Sequence, residues 1–199
     1  MLTADQEKEL VEACKTNPAA FEKIYDEYYS QIFGYILHRV GDYDTAKDLS
    51  SETFLKAYTS IHQFVWKEIA LSSWLYRIAT NEVNSFFRRR RYPLLGFLDI
   101  RGQFEAEYPD PASLESEKQE VERQLEEHQM YVRVQKIVQR LPPKYQAVIA
   151  LRFFEQKSIK EISEIVGKKE GTVKSLLSRG LERIRTSLEQ PNTISEDQS

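Results

Sequence analysis

Thr172, Lys174, Ser175, Ser178, Arg179 and Arg183 recur at helical spacing in the C-terminal part of the chain. On a helix they share one broad side, which gathers hydroxyls and cations onto a single surface. Arg and Lys there read guanine edges or grip phosphates, and Ser and Thr hydrogen-bond to either, so the chemistry on offer is nucleic-acid recognition. A plain helical hairpin with a solvated cationic face is the competing reading of this stretch taken alone. Four consecutive arginines, Arg88 to Arg91, form a second basic cluster. Catalysis finds no comparable set: His38, His62 and His128 stand apart without ligand spacing, no Gly-rich phosphate loop occurs, and Cys14 has no second cysteine to pair with. The expectation is no enzyme activity, no metal and no cofactor.

These residues need a frame, and the apolar periodicity supplies one. Ile159, Ile162, Ile165 and Val166 line one face of a helix that Ser158 caps, with Glu161 completing a capping-box pattern and Gly167 placed to end it in a left-handed conformation. Thr172 then stands as N-cap or first-turn residue of a second helix, with Val173, Leu176, Leu177, Gly180, Leu181, Ile184 and Leu188 inward. Helix, short turn and basic second helix make a helix-turn-helix pattern.

The N-terminal half is also helical in period. Phe21, Ile24, Tyr25, Tyr28, Ile32, Tyr35, Ile36 and Val40 form one broad stripe ended by Gly41-Asp42. A second helix over residues 44–61 turns Ala46, Leu49, Thr53, Phe54, Ala57 and Ile61 inward. A third, over 71–91, turns Trp74, Leu75, Ile78, Ala79, Val83, Phe86 and Phe87 inward, with Trp74 assigned to the core. Periodicity lapses after Tyr92, resumes over 115–140, and breaks again at Pro142-Pro143. The polar residues after Gln190 read as a disordered tail.

The net charge of -3 on 199 residues conceals strong segregation. Residues 99–127 carry ten acids against three bases, and residues 140–190 carry eleven bases against six acids. Two basic sites therefore flank an acidic connector, which predicts two separate nucleic-acid contacts. With 41% hydrophobic residues the chain has enough apolar content for folded cores. No stretch is apolar enough to cross a bilayer, and the N-terminal residues lack a secretory pattern, so the expected location is cytoplasmic with no membrane insertion. The lone Cys14 reads as a small buried apolar residue.

The stretches "DTAKDLSSETFLKAY", "FVWKEIALSSWLYRIATNEVNSFFRRRR" and "LPPKYQAVIALRFFEQKSIKEISEIVGKKEGTVKSLLSRGLERIR" together resemble the extracytoplasmic-function class of bacterial sigma factors. The resemblance covers residues 21–91 (sigma region two) and 134–188 (region four). It implies an all-α chain of two small helical domains on a flexible linker: region two at 1–92, an acidic linker at 93–130, region four at 131–190 and a tail at 191–199. The linker is acidic enough to mask the basic surfaces by lying against them. The implied activity is non-enzymatic, an alternative sigma factor that binds core RNA polymerase and directs promoter recognition. A stand-alone helix-turn-helix regulator is the alternative, and it leaves region two unexplained.

By the same resemblance Asp48 and Glu52, with Phe54 and Leu55 nearby, dock on the clamp helices of the largest polymerase subunit. Asn81, Asn84 and Arg88 read the minus-ten element, with Arg77 near the backbone and Arg89 on phosphate. Phe64 and Trp66 wall a pocket for a flipped base, where stacking contributes about 1–3 kcal/mol per base; ordinary core packing is the equal alternative for Phe64. Thr172, Lys174, Ser175, Ser178, Arg179 and Arg183 read the minus-thirty-five element, and region four also meets the polymerase flap tip. An anti-sigma factor is the further implied partner. Leu176 and Leu181 depart from the family pattern by standing where many relatives carry basic residues, which puts the usual number of phosphate contacts in doubt.

Overall fold

The structure is a computed structural model and describes residues 3–64, 70–91 and 129–189. All regular elements among the described residues are helical. Helix α1 (Ala4–Thr16) is opened by a Thr3–Gln6 capping box and followed by a short 3-10 turn, Pro18–Ala20. Helix α2 (Phe21–Val40) ends at Gly41, whose φ of 73° is the left-handed C-cap that glycine adopts at least cost. Asp42 then accepts from the Thr45 N–H at 2.8 Å and starts α3 (Tyr43–Ser60), and α4 runs Leu71–Arg91. In the second unit the residues 129–140 form α5, and α6 (Pro143–Ile149) widens into a π-turn, Ala150–Phe154. Helices α7 (Ile159–Val166) and α8 (Glu170–Glu189) complete it.

In the first unit the apolar stripes of α2, α3 and α4 meet: Ile24, Ile32 and Ile36 are fully buried against Ala46, Ala57, Leu75 and Val83. Helix α1 covers one end through Val11 and Cys14, and burial raises the Cys14 thiol above its ordinary value. Its buried Glu7 carboxylate accepts from the Tyr28 hydroxyl and, at 3.1 Å, from the backbone N–H of Leu71. One of the orphan donors at the start of α4 is thereby satisfied. In the second unit α8 lies close on α6 because Gly180 has no side chain; a Cβ there would sit 3.1 Å from Ile149 Cγ1.

Two residues expected inward are not. Tyr25 is 40% exposed and Leu181 45% exposed. Each flanks a stripe already filled at helical spacing, Ile24 and Tyr28 in one case and Gly180 and Ile184 in the other, so the hundred-degree step to the next residue carries it past the contact. Trp74 is half-buried, packed on Phe64 with ring centroids 5.0 Å apart. Residues 93–128 of the expected linker, the terminal tail and Trp66 lie outside the described residues, while residues 129 and 130, assigned to that linker, open α5.

The two units also touch. Helix α4 packs on α7, and the C-terminal turns of α2 meet the π-turn, so the buried apolar residues of both halves form one continuous cluster. The Tyr76 hydroxyl donates to Glu155 Oε2 at 2.5 Å, His38 stacks on Phe154 at 4.2 Å, and His38 Nδ1 lies 3.3 Å from Gln135 Nε2.

Candidate nucleic-acid interface

The helix-turn-helix expectation is met in detail. Ser158 Oγ accepts from the Glu161 N–H at 3.2 Å while Glu161 Oε2 accepts from the Ser158 N–H at 2.8 Å, so the predicted capping box exists. Gly167 has φ 64°, and Lys168 N–H returns to Ser163 O at 3.0 Å, closing α7 in the left-handed manner expected. Helix α8 begins at Glu170, which puts Thr172 in its first turn. Val173, Leu176, Leu177, Gly180 and Ile184 are buried, while Thr172, Lys174, Ser175, Ser178, Arg179 and Arg183 are all exposed. The Arg183 guanidinium lies 5.2 Å from the Tyr145 ring centroid, which ties this exposed side chain to α6.

On α4, Arg77, Asn81, Asn84 and Arg88 fall at i, i+4, i+7 and i+11 and are exposed along one face, with Arg89 exposed beside them. Phe64 is instead 7% exposed and packed on Trp74, so the core reading of Phe64 prevails in this arrangement. The second unit stands over the α4 face. Thr80, Asn81 and Asn84 border a cleft of about 290 Å³ closed on its other side by Pro143, Lys144 and Lys168. Region 4 thus borders the part of the α4 face that carries Asn81 and Asn84, while Arg77, Arg88 and Arg89 stand outside the cleft.

The third surface lies on α3. Asp48, Glu52 and Leu55 are exposed on one side of the helix, Leu55 at 63%. Phe54 is 3% exposed and forms the floor of that surface rather than part of it, a correction that follows from its place on the buried stripe with Leu49 and Ala57. Edge-on contacts put Phe54 4.9 Å from Tyr25, and Tyr25 is 4.9 Å from Tyr29. Tyr29 stacks on Phe33 at 5.8 Å, and Phe33 meets Tyr43 at 5.3 Å. Sequence reasoning missed this aromatic ladder, although the spacing of Tyr25, Tyr29 and Phe33 by four residues recorded it. Among the described residues no group of three or more His, Cys, Asp or Glu is placed to hold a metal ion, and no helix is long and apolar enough to cross a membrane.

Comparison with known proteins assigns both halves. The family model described as Sigma-70 region 2 matches residues 24–92, and that described as Sigma-70, region 4 matches residues 131–184. The chain belongs to the sigma-70 family. It is similar to the ECF RNA polymerase sigma factor BldN of Streptomyces coelicolor, 33% identical over 87% of this chain, and spans 62% of that relative's length. It is also similar to the ECF RNA polymerase sigma factor SigW of Bacillus subtilis, 30% identical over 91% of this chain and 95% of the relative. Among solved structures, RpoE in complex with the anti-sigma factor NepR from Bartonella quintana has the same fold, with a TM-score of 0.62, 22% identity, and coverage of 84% of this chain and 96% of that one. This protein is an alternative sigma factor of the ECF type, with region 2 in α2 to α4 and region 4 in α5 to α8.

The two departures from the family pattern separate within region 4. Leu176 is 9% exposed, belongs to the buried apolar cluster and borders the cleft toward α4, so it is an apolar core position rather than an outward one. Leu181 is exposed and stands as an apolar residue on the outer side of α8, where it supplies no phosphate contact.

Proposed function

We propose that this sigma factor docks on core RNA polymerase through α3, reads the minus-ten element with α4 and reads the minus-thirty-five element with α8, with no catalytic step of its own. The observation that carries the reading is that α8 turns Thr172, Lys174, Ser175, Ser178, Arg179 and Arg183 to solvent while its other side is buried. A solvated hairpin needs no hydroxyls on that face; a helix entering the major groove uses them for bases and phosphates. On α4 the exposed Asn81 and Asn84 offer donors and acceptors to base edges, and Arg77, Arg88 and Arg89 supply charge for the backbone. On α3 the exposed carboxylates of Asp48 and Glu52 share one side of the helix with exposed Leu55, a combination suited to a basic, partly apolar helical partner such as the polymerase clamp helices. Region 4 meets the flap tip, and an anti-sigma factor is the expected inhibitor; the similar RpoE structure was solved with one bound. The setting is cytoplasmic.

The test is gel filtration with bacterial core RNA polymerase, running an Asp48→Arg, Glu52→Arg variant alongside. Comigration of the wild type and its loss in the variant is the expected outcome. Failure of both to comigrate, with the protein alone shifting duplex DNA as a dimer, would replace this reading by that of a stand-alone regulator.

A further inference from the structure

A hydrogen-bonded ladder joins α2 to the reading face of α4. Tyr35 and Arg39 are one turn apart on α2, and Thr80 and Asn84 are one turn apart on α4. The hydroxyls of Tyr35 and Thr80 lie 2.8 Å apart. Arg39 Nη1 donates to the Tyr35 hydroxyl oxygen at 3.1 Å, and Arg39 Nη2 donates to Asn84 Oδ1 at 2.8 Å. The guanidinium is also 5.5 Å from the Tyr35 ring centroid.

Arg39 is fully buried, yet no carboxylate pairs with it among the described residues, and its Nε has no partner. Beyond the ladder its one further acceptor is the Pro143 carbonyl, at 3.4 Å. A buried cation held only by neutral oxygens is a costly way to fill space, and an apolar side chain of similar volume would serve packing better. What the guanidinium does that such a side chain cannot is impose a direction. It has donors and no acceptor, so the carboxamide oxygen of Asn84, and not its nitrogen, must face it. The Asn84 amide N–H groups are then left for the exposed side of α4.

We propose that Arg39 is a positioning residue for promoter reading: it fixes Asn84 as a hydrogen-bond donor toward DNA and so sets which base Asn84 accepts. With its oxygen engaged inward, Asn84 cannot make the donor-plus-acceptor pairing by which a free asparagine selects adenine. Its N–H groups can still donate to an adenine ring nitrogen, but the second bond of the bidentate pair is lost, so adenine keeps no advantage over bases that offer a carbonyl oxygen. The inference rests on the reading of Asn84 as a minus-ten contact.

The test uses holoenzyme reconstituted from the full chain and core polymerase, transcribing a promoter library randomised across the minus-ten element. The position that Asn84 reads is the one whose base preference disappears in Asn84→Ala. There the wild type shows no preference for adenine; Arg39→Met and Arg39→Gln, which free the Asn84 amide to turn, raise the adenine share about fivefold, the worth of one ordinary hydrogen bond. Arg39→Lys keeps a donor facing Oδ1 and stays close to the wild type. A purely structural role would lower transcription from every library member alike and leave the base ratios unchanged, and that result in both Arg39→Met and Arg39→Gln overturns the proposal. So does a wild-type preference for adenine. If Asn84→Ala changes no position, the assignment of Asn84 as a reader has failed and the proposal falls with it. If Asn84→Ala shifts one position and neither Arg39 variant does, the positioning role alone has failed.

Discussion

Tyr76→Phe isolates the contact that holds region 4 over region 2. The Tyr76 hydroxyl is the donor to Glu155 across the two regions, and the ring itself is buried on α4. Burial pushes the Glu155 carboxyl above its ordinary value, and the Tyr76 hydroxyl and Lys157 pull the other way. A hydrogen bond to a charged acceptor contributes about 1.5–3 kcal/mol; Glu155 is only partly buried, so water recovers some of the loss and the lower end, about 1.5 kcal/mol or roughly tenfold, applies. The phenyl ring that remains keeps its edge contact with Tyr35 at 5.3 Å and the Lys157 ammonium over its face at 4.9 Å, so region 2 stays folded. The assay is single-molecule energy transfer between dyes on cysteines introduced at the exposed Glu9 and Thr186, in a Cys14→Ala background. The ratio of undocked to docked molecules should rise about tenfold. Region 4 borders the cleft that carries Asn81 and Asn84, so on the proposed reading undocking should raise the free protein's affinity for single-stranded promoter DNA by up to the same factor. An unchanged ratio refutes the reasoning, and so does strict additivity of Tyr76→Phe and Glu155→Ala, since a direct contact must show coupling.

Acidification should undock the regions through His38. Burial lowers its pKa from 6.5 in the docked form, so the neutral ring's contribution is complete above pH 6.5 and is lost as pH falls below it. Glu155, with its raised pKa, acts in the opposite sense: docking gains as pH falls through that raised value toward 4.5. His38→Phe, which keeps a ring on Phe154, should therefore turn acid-induced opening into acid-induced closing in the same energy-transfer assay. Leu176→Arg puts a cation beside Lys144 and Lys168 in the cleft; it should open the docked form and steepen the salt dependence of minus-thirty-five duplex binding by about 0.9 in log–log slope, one added phosphate contact. Arg89→Ala should flatten the corresponding slope for single-stranded minus-ten DNA by about 0.7, with little change in base preference.

The helices and the α8 face were legible because their information is local. Val173, Leu177 and Ile184 recur at helical spacing, so whatever lies between them must face out, and the capping box at Ser158 and the left-handed Gly167 mark the ends of α7 within the same few residues. The α3 carboxylates were legible for the same reason. The aromatic ladder was recorded in the spacing of Tyr25, Tyr29 and Phe33 but merged with the adjacent buried stripe, because Tyr satisfies both an inward and an outward reading. Arg39 was not legible: a cation in the last turn of a helix ordinarily reads as a solvated partner of the C-terminal carbonyls. Nor was the docking of regions 2 and 4. Its pairs join residues 79 apart, Tyr76 with Glu155, and 97 apart, His38 with Gln135, and no local period encodes such distances.

On the proposed reading, docking and DNA contact draw on the same helices, and Leu176 lies where the two meet. A basic side chain at that position on α8 would strengthen the hold on promoter phosphates, and it would also place a charge in a cleft already bordered by Lys144 and Lys168. The buried leucine keeps that border of the cleft apolar. The same cleft shows why docking still leaves the reader intact. Asn84 keeps its orientation from Arg39, Tyr35 and Thr80, which belong to region 2 alone, and among the described residues the one hydrogen bond from this ladder to region 4 is the long one to Pro143. If Asn84 reads a base as proposed, departure of region 4 leaves that ladder in place, and base preference should be the same for docked and undocked molecules.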